Sequence, residues 1–358
     1  MASKSDRVLY IGTWEGLYAA TENGATYGIR LLGLESPPPP KDWKFDHRRL
    51  NPAGKGRLTP PVVIDKDDAN RLYAGTTRAG VFISEDAGHS WRECNQGLTS
   101  KEVWALVQHP QTGELYAGVE PTGVFKSFDR GESWLECMQL RTLPSSKMWT
   151  FPAPPHFSHI KDICLAPDDS KIVYCAIEEG GAVRSFDAGE TWEQMDQQQN
   201  GLYNDVHTVN LRLDNYADVI STTGKGVYRS SDRGDHWSYS ADGLEHRTYM
   251  SQIRAHPERP NVMFTSAASG PPPTWSRGTD SGVFRSDDYG VRWQRLVGGL
   301  PEVITAGARC TAMDPEDPNA VLCGFSDGTV YMTENGGESF RRIVDGIPHV
   351  LSITVGHR

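Results

Sequence analysis

The chain has 358 residues, of which 37% are hydrophobic, and it carries a formal net charge of −10. This acidic balance argues against a surface for nucleic acid or anionic membranes, and no stretch approaches the ~18 consecutive apolar residues of a membrane-spanning helix. The start, MASKSDRVLYIG, lacks the apolar core of a signal peptide, so we expect a cytoplasmic protein without membrane insertion.

The cysteine content agrees with that location. Six cysteines in this length are too few for a disulfide framework. Cys164 and Cys175 flank the predicted turn PDDSK, and Cys310 and Cys323 flank PEDPN, so we expect each pair to face across one hairpin. A reducing compartment favours buried thiols over cross-strand disulfides at these positions.

Repeated elements begin near the N-terminus and continue to the end of the chain. The first predicted strand, RVLYIGT, matches RLYAGTT (71–77), which is the second strand of a later unit. The strong copies of an eight-residue pattern are SEDAGHSW (84–91), SFDRGESW (127–134), SFDAGETW (185–192), SSDRGDHW (230–237) and SDDYGVRW (286–293). Weaker copies are ATENGATY (20–27) and TENGGESF (333–340). Consecutive copies are 43 to 64 residues apart, and the shortest spacings, 43 to 47 residues, are typical of propeller blades.

Each unit contains four short predicted strands separated by Pro, Gly and Asp. In residues 101–137 these strands are EVWALVQHP, GELYAGV, GVFKSF and SWLECM. The last predicted strand, HVLSITVGHR, matches a first strand, so it should complete the blade that RVLYIGT begins. The sequence therefore predicts an all-β protein: one seven-bladed β-propeller spanning 1–358, with four-stranded antiparallel blades and the C-terminal strand closing the N-terminal blade.

The recurring pattern, Ser/Thr-x-Asp-x-Gly-x-Ser/Thr-aromatic, is that of the Asp-box or BNR repeat, and the chain resembles the sialidase-like superfamily of Asp-box propellers. That superfamily includes sialidases, xyloglucan-cleaving glycosidases, sortilin-type receptors and a photosystem II assembly factor. The resemblance implies that each box lies between the third and fourth strands, on the face away from the active site. A carboxylate there can accept hydrogen bonds from its own turn, which predicts a structural role. The predicted structural aspartates are Asp86, Asp129, Asp187, Asp232 and Asp288.

Chemistry in a propeller usually gathers near the axis, where the first strands enter. We align these strands on QHP (108–110), LAP (165–167), AHP (255–257) and MDP (313–315). In the fourth unit the register leaves Asp205 and His207 as alternatives. The candidate catalytic residues are Glu102, His159, His207, Tyr249 and His349 at this level, with Arg309 just beyond it. Trp104 and Lys161 lie just beyond them and are candidate ligand-binding residues.

The axial histidines allow two interpretations. His159, His207 and His349, with Glu102, could bind a divalent metal at the axis, because imidazole and carboxylate suit Zn, Fe or Mn. The alternative is a ring of polar side chains that lines a water-filled channel. Both remain open, since a shift of one residue in the alignment turns every side chain to the other face.

Three insertions, 33–58, 140–160 and 266–282, combine prolines with aromatic residues and are expected on the same face of the propeller. Their aromatic residues include Trp43, Phe45, Trp149, Phe151, Phe157 and Trp275. Stiff loops with aromatic side chains suit the stacking of a sugar or flat ligand, and we single out Trp149 and Trp275 for ligand binding. The same loops could instead cover apolar surface or hold a protein partner.

Three functions remain, and an enzyme is slightly favoured. The first is a glycosyl hydrolase-like, lyase-type or metal-assisted enzyme acting on a carbohydrate or polar small molecule in the axial pocket. The second is a non-catalytic assembly or recognition scaffold, like the photosystem II assembly factor, and the third is a glycan- or metabolite-binding protein. Sialidase activity is disfavoured because the Arg-Ile-Pro tripeptide is absent, and the xyloglucan enzymes usually pair two propellers.

Overall fold

The structure is a computed structural model that describes residues 7–24, 26–36, 56–195 and 201–358. These residues form seven four-stranded antiparallel sheets, and each sheet is one blade of a propeller. Short 3-10 helices occur at Met138–Thr142, Pro144–Met148 and Pro272–Arg277. The predicted fold class is confirmed.

The strands follow one another from the axis outwards in each blade. The first three blades contain β1 (Arg7–Thr13), β2 (Leu17–Asn23), β3 (Thr26–Gly33), β4 (Val63–Asp65), β5 (Asp68–Thr76), β6 (Gly80–Ser84), β7 (Arg92–Glu93), β8 (Glu102–Gln108), β9 (Leu115–Glu120), β10 (Gly123–Ser127) and β11 (Leu135–Glu136). The next two contain β12 (Ile160–Ala166), β13 (Asp169–Ile177), β14 (Gly181–Ser185), β15 (Glu193–Gln194), β16 (Val206–Arg212), β17 (Asn215–Thr223), β18 (Gly226–Ser230) and β19 (Ser238–Ser240). The last two contain β20 (Tyr249–His256), β21 (Arg259–Ala268), β22 (Ser281–Ser286), β23 (Gln294–Leu296), β24 (Ala308–Met313), β25 (Val321–Phe325), β26 (Val330–Thr333) and β27 (Arg341–Val344).

The two ends of the chain share the first blade. Strand β28 (Val350–His357) is the innermost strand of this blade and pairs antiparallel with β1, from Arg7↔His357 to Thr13↔Val350. The Arg7 side chain also forms a buried ion pair with Asp314 at 2.6 Å, which ties β1 to the seventh blade. The predicted closure of the ring by the C-terminal strand is therefore confirmed.

The core lies between neighbouring blades. Strands β9 and β10 are buried along their whole length, which is expected when both faces of a sheet are covered. Tyr116 on β9, for example, packs in one apolar cluster with Ile163 and Cys175 of the next blade. Each blade thus buries its faces against its two neighbours.

The repeated turns connect the third and fourth strands of their blades, at the opposite face from the start of the first strands. In the second strong copy, Asp129 accepts hydrogen bonds from Ser127 Oγ at 2.8 Å, Ser133 N at 2.9 Å and Ser133 Oγ at 2.6 Å. Ser127 Oγ in turn accepts the Gly131 N–H at 2.8 Å. Equivalent bonds hold the turns around Asp86, Asp187, Asp232 and Asp288.

The cysteine pairs do not face each other as expected. Cys164 pairs with Tyr174 and Cys175 pairs with Ile163, so the two cysteines differ by one position in register. A difference of one position places side chains on opposite faces of the sheet. Cys310 and Cys323 are offset in the same way, and all six thiols are free.

Candidate functional site

The innermost strands of five consecutive blades have a register irregularity close to their first residue. In β8 the pairing skips Trp104, in β12 Lys161, in β16 His207 and in β24 Arg309. In β20 the pairing breaks between Met250 and Ile253, around Ser251. A β-bulge breaks the alternation of side chains and re-aims the residue that it contains. Every one of these five side chains lines a single axial cavity.

This cavity has a volume of about 620 Å³ and follows the innermost strands. Its lining runs from the bulge residues at one end to Pro110, Pro167 and Pro315 at the other. It therefore extends along the propeller axis over most of the length of these strands. Between the two ends lie apolar residues such as Leu106 and Ile163.

Aromatic rings form one side of the cavity mouth. The rings of His207 and Tyr249 are 4.7 Å apart, and Tyr249 meets Trp275 edge-on at 6.3 Å. Trp275 comes from the third insertion, and its indole N–H donates to Gly270 O at 2.7 Å. It packs against the backbone of Gly307 so closely that a Cβ there would lie 2.1 Å from the indole ring. The absence of a side chain at this glycine thus lets Trp275 cover the entrance.

Arg309 lines the cavity with a guanidinium that is only partly paired. Its Nε donates to His349 Nε2 at 3.1 Å, and its guanidinium lies 5.1 Å from the Trp275 ring centre. Within the described part of the chain its two Nη groups have no hydrogen-bond partner and no carboxylate within ion-pair distance. Burial lowers the pKa of Arg309, although Tyr249 and Glu178 oppose this effect. The Nη groups are thus available to an anion that enters the cavity.

Lys161, in contrast, is already paired. Its Nζ lies 2.5 Å from Glu178, whose Oε2 also contacts His159 Nε2 at 2.8 Å. The other ring nitrogen of His159 lies 3.4 Å from Glu120, and the imidazole stacks on Trp104 with ring centres 3.9 Å apart. Burial raises the pKa of Glu178, but Lys161 and His159 outweigh it and hold the pKa well below its usual range. In this cluster Glu178 compensates the charge of Lys161, and His159 stacks on Trp104.

The sequence interpretation missed Glu120 and Glu178. Aligning GVEPTG with AIEEGG places the two glutamates at the same position, at the end of the second strand in adjacent blades. A side chain there reaches the same face as the start of the first strand. That alignment was the signal that could have identified them.

His207 and Asp205 both contribute to the mouth, so the two alternatives were not exclusive. His207 Nδ1 donates to Met250 O at 2.7 Å, and its Nε2 lies 3.3 Å from Asp205 Oδ1. Burial lowers the pKa of His207, but the charge of Asp205 outweighs burial and the net shift is upward. The carboxylate of Asp205 therefore favours the protonated form of His207.

A second pair of charges lies deeper in the cavity. Arg254 donates to Ile253 O at 3.0 Å and to Gln252 Oε1 at 3.1 Å, and Asp162 accepts the Val209 N–H at 3.3 Å. No ion pair within 4 Å joins Arg254 and Asp162 in the described residues. Burial raises the pKa of Asp162 and lowers that of Arg254.

The structure brings together six of the sequence-predicted site residues. The cavity lining includes Trp104, Lys161, His207, Tyr249, Trp275 and Arg309. Four others do not reach it in the described structure: Glu102, His159, His349 and Trp149. His159 and His349 contact lining residues from behind, whereas Glu102 lies opposite Glu120 in the pairing of β8 with β9.

Trp149 belongs to a different place. Its indole N–H donates to Gln194 Oε1 at 3.2 Å, and it lines a separate cavity of about 220 Å³ with Thr122 and Phe157. Trp149 thus lies against the outermost strand of its blade, whereas His159 of the same 140–160 insertion stacks on Trp104. Trp43 and Phe45, from the first insertion, lie outside the described residues.

The three histidines do not form one ligand set. Each is held by different neighbours: His159 by glutamates, His207 by Asp205 and a carbonyl, and His349 by Arg309. In residues 7–24, 26–36, 56–195 and 201–358 no group of three or more His, Cys, Asp or Glu side chains is placed to hold a metal ion. The geometry gives the predicted axial metal centre no support.

Comparison with known proteins shows the fold and weak similarity to glycoside hydrolases. The chain matches no family model. A xyloglucanase from Paenibacillus sp is 22% identical over 156 residues, which is 38% of this chain and 14% of that protein. The GH74 enzyme of Niastella koreensis aligns with a TM-score of 0.61 at 15% identity, covering 80% of this chain and 45% of its own. The chain thus spans less than half of these relatives.

A second solved structure is closer to this chain in size. YCF48 bound to a D1 peptide aligns with a TM-score of 0.52 at 15% identity, covering 80% of this chain and 83% of that one. At such identities the likeness concerns the seven-bladed architecture alone. In the described residues no helix has the length and apolar character needed to cross a membrane.

Proposed function

We propose that this propeller binds an anionic small molecule at the mouth of its axial cavity, with the acidic group on Arg309 and the body of the ligand on Tyr249 and Trp275. The observation that carries the proposal is the free pair of Nη groups on Arg309, which face the cavity in the described structure. A guanidinium recognises a carboxylate or phosphate through two parallel hydrogen bonds.

The charge balance of the cavity supports an anion. Lys161 and His207 line it but are paired with Glu178 and Asp205. Among the described lining residues, the charges without an ion-pair partner are Arg254 and Arg309 against the carboxylate of Asp162. This excess of cations stands in a chain whose net charge is −10. A buried charge without a partner is costly, so a bound anion would offset the desolvation of Arg309.

The aromatic wall favours a ligand with a flat or ring-shaped apolar face. Carbohydrate rings present such faces, and the weak similarity to a xyloglucanase agrees with this class. A sugar acid combines both features. We therefore place uronates first among the ligands to test.

The test is calorimetric titration of the protein with glucuronate and with glucose, which differ only in the carboxylate. We expect glucuronate to bind at least about tenfold more tightly, because a charge-assisted hydrogen bond contributes ~1.5–3 kcal/mol. Arg309→Met should abolish this preference, whereas Trp149→Ala, which alters the separate cavity, should keep it. Equal affinity for the two sugars, or a preference that survives Arg309→Met, would contradict the proposal.

A protein partner is the second candidate, and it rests on a different surface. The insertion around 138–157 exposes large apolar side chains: Met138 is 62% exposed, Met148 66% and Phe157 46%. Exposed apolar residues gathered on one loop are typical of a recognition surface. YCF48, which aligns over most of its length, was solved with a bound peptide. Met138→Ser with Met148→Ser should reduce co-purification of a partner while leaving glucuronate binding unchanged.

We further infer that the recurring turn is an Asp-box whose aspartates stabilise the fold and take no part in ligand binding. In support, their hydrogen bonds stay within the turn, as at Asp129. The turns also lie at the end of the blades opposite the cavity mouth.

A further inference from the structure

Arg254 has no role in the proposed site at the mouth, yet it lines the same cavity. It lies three residues before Pro257 on β20, whereas Arg309 lies six residues before Pro315 on the neighbouring β24. The two prolines occupy equivalent positions of adjacent innermost strands. Strands rise ~3.3 Å per residue, so the backbone positions of the two arginines are about 10 Å apart along the axis.

The space between the two arginines is continuous and largely apolar. Leu106, Ile163 and Val209 line the cavity between the mouth and the level of Arg254. Asp162 lies in this interval, but its carboxylate accepts a backbone N–H and forms no ion pair with Arg254 within the described residues. Burial also raises the pKa of Asp162, although the charge of Arg254 opposes this effect.

We propose that the ligand is an elongated dianion, with one acidic group on Arg309 and a second, about 10 Å deeper, on Arg254, joined by an unbranched apolar spacer. This inference rests on the proposed function, since it takes the anion at Arg309 as its starting point. It adds the substrate class: a chain with two acidic ends, such as an α,ω-dicarboxylate or an acid of similar length.

The experiment measures dissociation constants by calorimetry for succinate, adipate, suberate, sebacate and dodecanedioate, with octanoate as the single-charge reference. Affinity should pass through a maximum at suberate or sebacate, whose extended carboxylates match the separation of the arginines. Suberate should bind at least about tenfold more tightly than octanoate. Arg254→Met should remove that advantage and the maximum while leaving octanoate binding unchanged.

Two further measurements keep the outcome decisive. Arg254→Lys, which keeps the charge, should retain a length maximum with lower affinity, and octanoate binding reports whether each variant is folded. Octanoate binding that depends on Arg309 without any length maximum would overturn the dianion while the proposed function stands. If neither octanoate nor any dicarboxylate binds in an Arg309-dependent manner while glucuronate does, the dianion is overturned and the proposed function stands. If glucuronate fails as well, both proposals are overturned.

Discussion

Four side chains of the axial mouth reach it because their innermost strands are each irregular at one residue. Strict alternation would point Trp104, Lys161, His207 and Arg309 between the blades, where the cores lie. The bulge turns them into the axis instead. Aligning the strands on their prolines could therefore identify Trp104, Lys161 and Arg309 from the sequence, whereas the strand of His207 has no such proline. Their orientation could not be predicted, because the bulge breaks the period of two on which such a prediction depends.

The partners of these residues were harder to predict. Glu178 belongs to the end of a second strand, and its contacts with Lys161 and His159 cross from one hairpin arm to the other. The same applies to His349, whose ring nitrogen accepts a hydrogen bond from Arg309 of another blade. Contacts between side chains of different strands depend on rotamers that a sequence pattern does not specify.

The pH dependence of folding should carry a signature of His349. Burial, together with Arg309 and Arg57, holds the pKa of His349 well below its usual value. An unfolded histidine titrates near ~6.5, so below this pH the unfolded chain binds a proton that the native protein does not. The free energy of unfolding should thus rise with pH up to about 6.5, by up to ~1.4 kcal/mol per pH unit from this residue.

Urea unfolding between pH 4 and pH 7 measures this effect. His349→Gln keeps an acceptor for Arg309 but cannot be protonated. The slope of the free energy of unfolding against pH should therefore fall in this window by the equivalent of up to one bound proton. His89→Gln, at an exposed position, provides the control and should leave the slope unchanged. An identical slope in the wild type and His349→Gln would show that His349 is protonated in the native protein.

Asp129 should contribute stability through the hydrogen bonds of its turn. Asp129→Ala removes three of these bonds, and we expect the free energy of unfolding to fall by ~1–3 kcal/mol. Asp129→Asn should cost less than ~1 kcal/mol, because the last copy, TENGGESF (333–340), already uses Asn335, which accepts the Ser339 N–H at 3.0 Å. Urea unfolding at pH 7 compares the two variants.

The small difference in the free energy of unfolding between the wild type and Asp129→Asn should also depend on pH. Burial raises the pKa of Asp129, but the hydrogen bonds from Ser133 and Ser127 outweigh it and lower the pKa. A carboxyl with a lowered pKa stabilises the native state above its unfolded pKa of ~3.9 and loses this contribution as the pH falls. The two proteins should thus converge in stability on acidification, and a constant difference would contradict this explanation.

At the scale of the elements, a second repeated feature joins three pairs of neighbouring blades. The fifth blade continues after β19 into the segment 241–244. Within this segment, Asp242 O accepts the N–H of Trp293 in the sixth blade at 2.9 Å. Gly97 and Gly299 follow the same arrangement, because a Cβ at either would lie about 2 Å from a carbonyl oxygen of a repeated turn. The aromatic residue that ends three of the eight-residue patterns, Trp134, Trp293 and Phe340, thus meets a Gly-Leu dipeptide.

Gly243→Ala should be strongly destabilising. Gly243 has φ +83°, and a Cβ there would lie 1.8 Å from Trp293 O, so both the backbone and the contact resist a side chain. We expect the left-handed conformation to cost ~1 kcal/mol and the overlap ~1–3 kcal/mol more. The matched control is Gly346→Ala, where φ is +72° and no atom lies within 4 Å.

Thermal unfolding of the two variants separates these costs. Gly346→Ala should show the conformational cost alone, and Gly243→Ala should have the clearly lower Tm. Equal shifts in Tm would mean that the contact between the blades relaxes without cost.

The number and order of the blades followed directly from the spacing of the repeats, because each unit encodes one complete sheet.

For the whole molecule, the decisive element is the strand that joins the two ends of the chain. Strand β28 is paired along β1 and also packs against β24 of the seventh blade. In a stacked array of blades, stability is a sum of blade terms and nearest-neighbour interfaces, and an open array would fray from its ends. Closing the ring gives every blade two neighbours, so damage at the closure should spread in both directions.

Ile353→Pro tests this expectation, because Ile353 pairs with Ile11 at the centre of β28 and proline removes its N–H. Ile353→Val is the matched control, since it keeps the N–H and should cost only ~0.5–1.5 kcal/mol. Hydrogen exchange should show lost protection in β1–β3 and in β24–β27 of the proline variant, while β12–β15, on the far side of the ring, remain protected. Loss confined to β28 would mean that the blades are stable without closure, and uniform loss would mean that the propeller unfolds as one cooperative unit.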